Sequence, residues 1–362
     1  MLLSEHPPIG YAPVALSGYL HVQSDHRSGV DSVNRYFTIA ALAILATGPL
    51  AFPVQSAAPQ ASIKVDKPAA MNGTREVVVG SFVVAFLTER SDSAKAGGGL
   101  IGSGFGGKSS ARSRLSGLAD ADFQAATDAA FTDFKQQMSG AGYTVADNAP
   151  VIEAMIQAGA RTEENGAEKD LILGRNSKAD ARLFSPSGWA GPLVPREYLG
   201  MMSGGGFSGN RSAILVSMKG QEFAKSKGQA VLSVLYIIDF AQADTYGGAF
   251  RNVSAVKVKA GLAAIPEASK LVVYAPKGQV GTATLREPIA VGGAFGEFAD
   301  AQSGGEKALN AAVNVIGILG GIGSNSSKKY IMTADPVAWK GGMSELMSST
   351  NAQFIAAMNG TG

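Results

Sequence analysis

Gly102-Ser103-Gly104-Phe105-Gly106-Gly107-Lys108-Ser109 spells G-x-x-x-x-G-K-S, the spacing in which loop N–H groups cradle phosphates while Lys and Ser reach phosphate and magnesium. The stretch also contains G-x-G-x-x-G. Val234-Leu235-Tyr236-Ile237-Ile238-Asp239 supplies what a second motif of such a site would need, an apolar strand ending in an aspartate for the metal. The candidate nucleotide-binding residues are therefore Gly102, Gly107, Lys108, Ser109 and Asp239. A P-loop also requires a strand directly before it and a helix directly after it, because the helix N-terminus is the anion site. The apolar strand pattern here ends near Leu87, well before Gly102, and residues 109–117 carry no apolar helical stripe. With 46 glycines in 362 residues, a casual match inside a Gly-rich tract is expected, and the surroundings predict a hairpin tip.

Other catalytic resources are few. The chain has no cysteine, and its three histidines are His6, His21 and His26. Thiol nucleophiles, disulfides and Cys-ligated zinc are excluded. The neighbouring carboxylates are Glu163 with Glu164, Asp120 with Asp122, and Asp239 with Asp244, and sequence proximity alone does not set the separation that acid–base pairs need. Asp120 and Asp122 already suit a helix cap. Lys219, Lys225 and Lys227 lie near Ser217 and Ser226, where a solvated turn explains them without Ser-Lys catalysis. No catalytic residue, metal site or cofactor is assigned. A net charge of +2 gives no field for steering onto nucleic acid.

The N-terminal region bears on compartment. Asn34-Arg35-Tyr36 precedes the apolar run 37–52, FTIAALAILATGPLAF, and then Val54-Gln55-Ser56-Ala57-Ala58, an order of basic, apolar and small-residue regions typical of a secretory leader. The run holds Gly48 and Pro49 and is shorter than the roughly 20 residues of a spanning helix, so cleavage fits better than anchoring. Residues 1–32 read as a non-native upstream extension, with translation starting at Val33 through an alternative bacterial start codon, and 33–58 as the signal peptide. Cleavage after Ala57 or Ala58 would leave about 304 residues free of His and Cys. The general-base, triad and zinc chemistries that need those side chains would then be closed to this chain alone.

The elements that must position any site follow from periodicity. Residues 59–74 read as a linker, with order expected from Arg75. Val77–Leu87 is a strand buried on both sides, and residues 113–118 a short return. Phe123, Thr127, Ala130, Phe131, Phe134 and Met138 form one stripe of a helix over 120–138, stopped by Gly140. A strand begins at Tyr143. Residues 150–158 give a second helix grouping Ile152, Met155 and Ile156, and 161–180 a charged excursion. Strands are expected at 213–218, 230–240, 253–262, 270–274 and 280–285, and the strict Val256-Lys257-Val258-Lys259 alternation gives a sheet with one wet face. The loop-rich stretch between Leu183 and Gly209 is long enough to suggest an ordered binding or packing loop, and the plainer reading is that its Trp189 plugs the core. Residues 308–323 read as a buried helix entering a Gly-rich loop, followed by a strand at 329–333. Asp335 caps a last helix with Pro336 at its first position, stripe Trp339, Met343, Leu346, Met347, Thr350, Phe354 and Met358, and a second turn weakened by Gly341 and Gly342.

This order of strand, helix ending in AGYTV, long strands and C-terminal helix resembles exported envelope subunits such as the curli secretion channel family. The resemblance covers element order, the lipid-attached cysteine of that family has no counterpart, and no residue role is carried across. The expected fold is α+β, a mostly antiparallel sheet packed by a few helices, with 75–180 forming a hairpin-helix-strand region and 181–362 a strand-rich region ending in a helix. The function that fits is an exported periplasmic or envelope-associated, non-catalytic binding or assembly component. The alternative is an oligomeric membrane-associated or pore-forming envelope subunit using residues 96–109 or 308–323. The second alternative is a carboxylate-based hydrolase or P-loop-like nucleotide binder. The partner expected is an envelope protein or small ligand, not nucleic acid; peripheral membrane contact and homo-oligomers are compatible with this reading.

Overall fold

A computed structural model describes residues 63–71, 74–95, 107–174, 176–201, 210–246, 254–301, 315–320 and 325–360. Residues 1–58, read as extension and leader, and Gly102 lie outside them. In chain order the elements are β1 (Ile63–Asp66), β2 (Glu76–Lys95), β3 (Lys108–Ser116), α1 (Asp120–Gly140), β4 (Thr144–Ala146), α2 (Ala149–Gln157), β5 (Ala167–Gly174), β6 (Ser177–Phe184), α3 (Asn210–Lys227), β7 (Ala230–Tyr246), β8 (Ser254–Ala264), β9 (Lys270–Tyr274), β10 (Val280–Leu285), β11 (Ile289–Val291), β12 (Gly296–Asp300), β13 (Val315–Gly320), β14 (Ser326–Ala334) and α4 (Pro336–Met358). Arg196–Met201 adds a short 3₁₀ turn. The fold is mixed α/β, with a sheet-rich core and four helices among the described residues.

The centre is the pair β2–β7, which runs parallel from Val77 opposite Ala230 to Phe86 opposite Ile238. Both strands are almost wholly apolar here because both faces are covered. On one face α1 and α4 pack through Phe82, whose ring meets Phe131, Phe134 and Tyr236, and Tyr236 stacks on Phe354 at 5.7 Å. On the other lie α2 and α3, and α2 approaches so closely that a Cβ at Gly80 would lie 3.2 Å from Met155, as well as 2.8 Å from Val231 on the neighbouring strand β7. The helix-covered sheet continues through β9 and β10 to β1.

Beyond Phe86 the sheet forks. The edge of β2 that carries β7 up to Phe86 carries antiparallel β3 from Glu89 onward, while β6 holds the opposite edge from Val84 to Asp92. One branch then runs β5-β6-β2-β3-β14-β12, and the other follows β7 into β8, which bears β11 and β13 on its far edge. Three pairings, β2–β7, β2–β4 and β3–β14, are parallel and the rest antiparallel.

Several sequence expectations give way. Residues 63–66, inside the stretch read as a linker, add β1 to the edge of β10. The return strand is longer, from Lys108 to Ser116. Residues 213–218 are helix rather than strand: Ala213, Val216, Ser217 and Ala224 are buried at helical spacing, and a short apolar run does not distinguish the two. The charged excursion contains the hairpin β5–β6, whose period-2 alternation puts Leu171, Ala179, Ala181 and Leu183 inside. The described part of 308–323 is strand β13, paired with β8, because an available sheet edge decides a Gly-rich apolar run. In α2, Val151 is buried and Ile156 is 39% exposed. The left-handed residue after α1 is Gly142, not Gly140. Asp335 accepts the N–H groups of Val337 and Ala338 at 2.9 Å, and the α4 stripe is buried throughout. Trp189 is partly buried, edge-on to Phe131. At residues 254–260 the backbone is described and the lysine side chains are not.

Candidate functional site

Among the predicted nucleotide-site residues, Gly107 leads into β3, and Lys108 and Ser109 are its first residues. Lys108 is exposed opposite Lys95, and its N–H donates to Asn325 Oδ1 at 3.1 Å. Ser109 is buried between Ala94 on β2 and Ser326 on β14. A strand that follows Gly107 instead of a helix offers no row of free N–H groups to an anion. Asp239 lies elsewhere, against Arg90. Arg90 is level with Ser113, five residues along β3 from Lys108, or roughly 17 Å at about 3.3 Å per residue. The structure does not bring the two halves of the motif together.

Several of the other sequence candidates have structural partners. Glu163 pairs with Lys169 at 2.9 Å, Asp120 with Arg182, and Lys219 with Glu222 at 2.6 Å. Asp122 accepts the Ala119 N–H at the start of α1. Ser217 is buried and donates to Glu197 Oε2 at 2.6 Å, which also accepts from Tyr274. Ser226 donates to Phe223 O. The side chain of Asp244 lies outside the described residues.

Asp239 belongs to the fork. Where β7 leaves β2, its backbone groups lose their partners, and side chains replace them. Arg90 donates to Asp239 and to Ala241 O at 3.0 Å, its Nε reaches Asp92 at 2.7 Å, and Asp239 Oδ1 accepts the Ala241 N–H. Ser177 on β6 closes the network by donating to Asp92 at 2.7 Å. Burial opposes the Arg90 charge, but Asp239 and Asp92 outweigh it and its pKa stands above the ordinary value. Burial pushes the Asp239 carboxyl up, and Arg90 and the Ala241 N–H resist that shift. These charges satisfy one another inside the protein.

The open polar surface lies on the outer face of the first branch. Cross-strand register places Asp170, Asp180, Glu89, Arg114 and Ile331 in one row over β5, β6, β2, β3 and β14. Part of that row lines a cleft of about 550 Å³ with Thr88, Glu168, Arg182 and Phe123. Glu89 pairs with Arg112, Arg114 is exposed, and Ile331 is 36% exposed. The Asp180 carboxyl is pushed up by burial, then by Glu89 and Asp170. Like charges directly opposite on adjacent strands cost stability. The free edges of the branch are β5, hydrogen-bonded only to β6, and β12, hydrogen-bonded only to β14, among the described residues. Sequence reasoning missed this surface; its signal was the period-2 alternation in AEKDLILG, SKADARLF and SSARSRLS.

Among the described residues no group of His, Asp or Glu is placed to hold a metal ion, and no helix is long and apolar enough to cross a membrane. No protein-family model matches the chain, and no curated protein or solved structure is significantly similar to it.

Proposed function

We propose that this chain is an exported envelope protein that acts by binding or assembly rather than catalysis, with the outer face of the β5-β6-β2-β3-β14-β12 branch as its contact surface. The observation that carries the reading is the charged row Asp170–Asp180–Glu89–Arg114, which crosses four strands on an exposed face of a sheet with free edges. Such a surface suits a protein partner, since edges offer main-chain pairing and the row offers charge complementarity. Export rests on the order of residues 34–58.

The test is made on native cell fractions. Intact mass should show a chain beginning near Ala58 or Pro59 in the envelope, and gentle extraction should release an assembly larger than one chain that Arg114→Glu with Asp180→Lys reduces to a monomer. An uncleaved cytosolic chain starting at Met1 overturns export. A wild-type monomer, or an assembly indifferent to the charge reversal, overturns the contact surface.

One further observation favours the membrane-associated, oligomeric alternative. The paired ends Lys95 with Lys108, Tyr246 with Ala255, and Gly320 with Ser254 lie at the same end of the fork, and Ser326 joins them opposite Ser109. The connecting sequences at 96–106, 247–253 and 321–324 are rich in glycine with scattered apolar residues. Release from membranes by salt or high pH supports a peripheral protein; a strict requirement for detergent supports the inserted subunit.

A further inference from the structure

A second concavity shares the end of β5 with the β5-β6-β2-β3-β14-β12 branch but none of the residues of its charged row. It is a basin of about 490 Å³ over the β1–β10–β9 face. Its floor is a row set by register, Lys64 opposite Thr284 and Thr284 opposite Lys270. One wall is the end of β5, with Ile172 and Leu173, and the other is the segment Ile265–Ser269 that interrupts the run from β8 into β9.

That interruption is a built feature. β8 and β9 follow one another along the same edge of β7, with Ala264 opposite Ile238 and Lys270 opposite Leu235. Across the gap, Ile265 N–H donates to Ile237 O at 2.8 Å and the Ser269 hydroxyl accepts the Ile237 N–H at 3.1 Å, so no ladder group of Ile237 is left bare. The excursion forces Glu267 to φ 61, a left-handed conformation that costs a residue with a Cβ about 1 kcal/mol or more. It is held there by its N–H to Leu285 O, and its carboxylate pairs with Arg286 at 3.1 Å.

The charges in the basin do not balance. Lys64 pairs with Asp66 at 3.0 Å and Arg286 with Glu267, which uses both acids. Lys270 is left with no ion pair among the described residues. It is half-buried, and burial lowers its pKa while Glu267 acts in the opposite sense. A half-buried ammonium of this kind gains most from an added anion. The Thr284 hydroxyl beside it is a further donor. At the rim, Ile172 is 47% exposed although it is a large aliphatic side chain on a strand end that could have been polar. Cation, hydroxyl and apolar shoulder meet in one open, mostly polar concavity.

We propose that this basin binds a small amphipathic oxyanion, its carboxylate or phosphate head held by Lys270, Thr284 and Lys64 and its apolar part lying on Ile172 and Leu173. The probe is octanoate, with inorganic phosphate as the head alone, titrated by calorimetry into the full chain. Octanoate should bind, with phosphate weaker, and the affinity should fall at least tenfold in Lys270→Met and also in Ile172→Ser. Lys277→Met, on an exposed turn outside the basin, should bind as the wild type does. Far-ultraviolet circular dichroism shows whether each variant is folded, and Lys64→Met serves as a second cation variant with the same expected direction. Absence of octanoate binding, or equal affinity in folded Lys270→Met, overturns the site. Phosphate binding as tightly as octanoate and unaffected by Ile172→Ser overturns the amphipathic assignment.

Discussion

At the scale of single residues, Arg90 decides whether two carboxylates tolerate the interior. Its side chain is 14% exposed, and Asp92 and Asp239 are more deeply buried, at 4% and 2%. Replacing one member of a buried ion cluster costs more than the cluster is worth, because the charges left behind have lost both water and partner. Arg90→Met should therefore lose about 3–5 kcal/mol of stability in a denaturant titration at neutral pH. The loss should shrink on acidification. Without Arg90 the native pKa of Asp239 rises further above its unfolded value, so the native state takes up the proton first as pH falls, and the variant recovers relative to wild type through that window. A loss below about 1 kcal/mol, or one that grows toward low pH, would show that the fork does not depend on this cluster. An aspartate closing a very apolar run does signal a special environment; the structure places it inside β7, at the register shift, and its partner Arg90 comes from 149 positions away.

Among the elements, α4 shows how packing overrides propensity. Gly341 and Gly342 both lower helix propensity by about 1 kcal/mol relative to alanine. Their surroundings differ. A Cβ at Gly341 meets nothing within 4 Å, whereas at Gly342 it would overlap the Phe295 ring and come within 2.9 Å of Leu262 Cδ1. Phe295 sits at the corner between β11 and β12, and its carbonyl accepts the Asp335 N–H that enters the helix. Gly341→Ala should stabilise by about 0.5–1 kcal/mol and Gly342→Ala should destabilise by about 1–3 kcal/mol. Thermal melts of the two variants give the answer, and shifts of the same sign would refute the close approach. From the sequence the two glycines are indistinguishable, because the ring that separates them lies more than 40 residues upstream.

For the molecule as a whole, the fork divides stability into two regions. The β2–β7 pair is covered by helices on both faces, while the branch beyond it has one charged, wet face. Hydrogen exchange should place the amides of Val77–Phe86 and Val231–Ile238 at the global unfolding limit and those of β5 well below it. Equal protection in both regions would make the fork a single cooperative unit. The sequence by itself determined the helices that begin at Asp120 and Pro336, the doubly buried strand after Arg75 and strands β9 and β10, because each carries its period locally. It also determined the absence of cysteine, which removes thiol, disulfide and Cys-ligated metal chemistry. Only the tertiary structure decided that 213–218 is helix and 315–320 strand, that the G-K-S stretch enters a sheet, and that Lys270, Thr284 and Ile172 line one basin. Short apolar runs take the form their neighbours offer, and a site assembled from β1, β5, β9 and β10 has no local period to betray it.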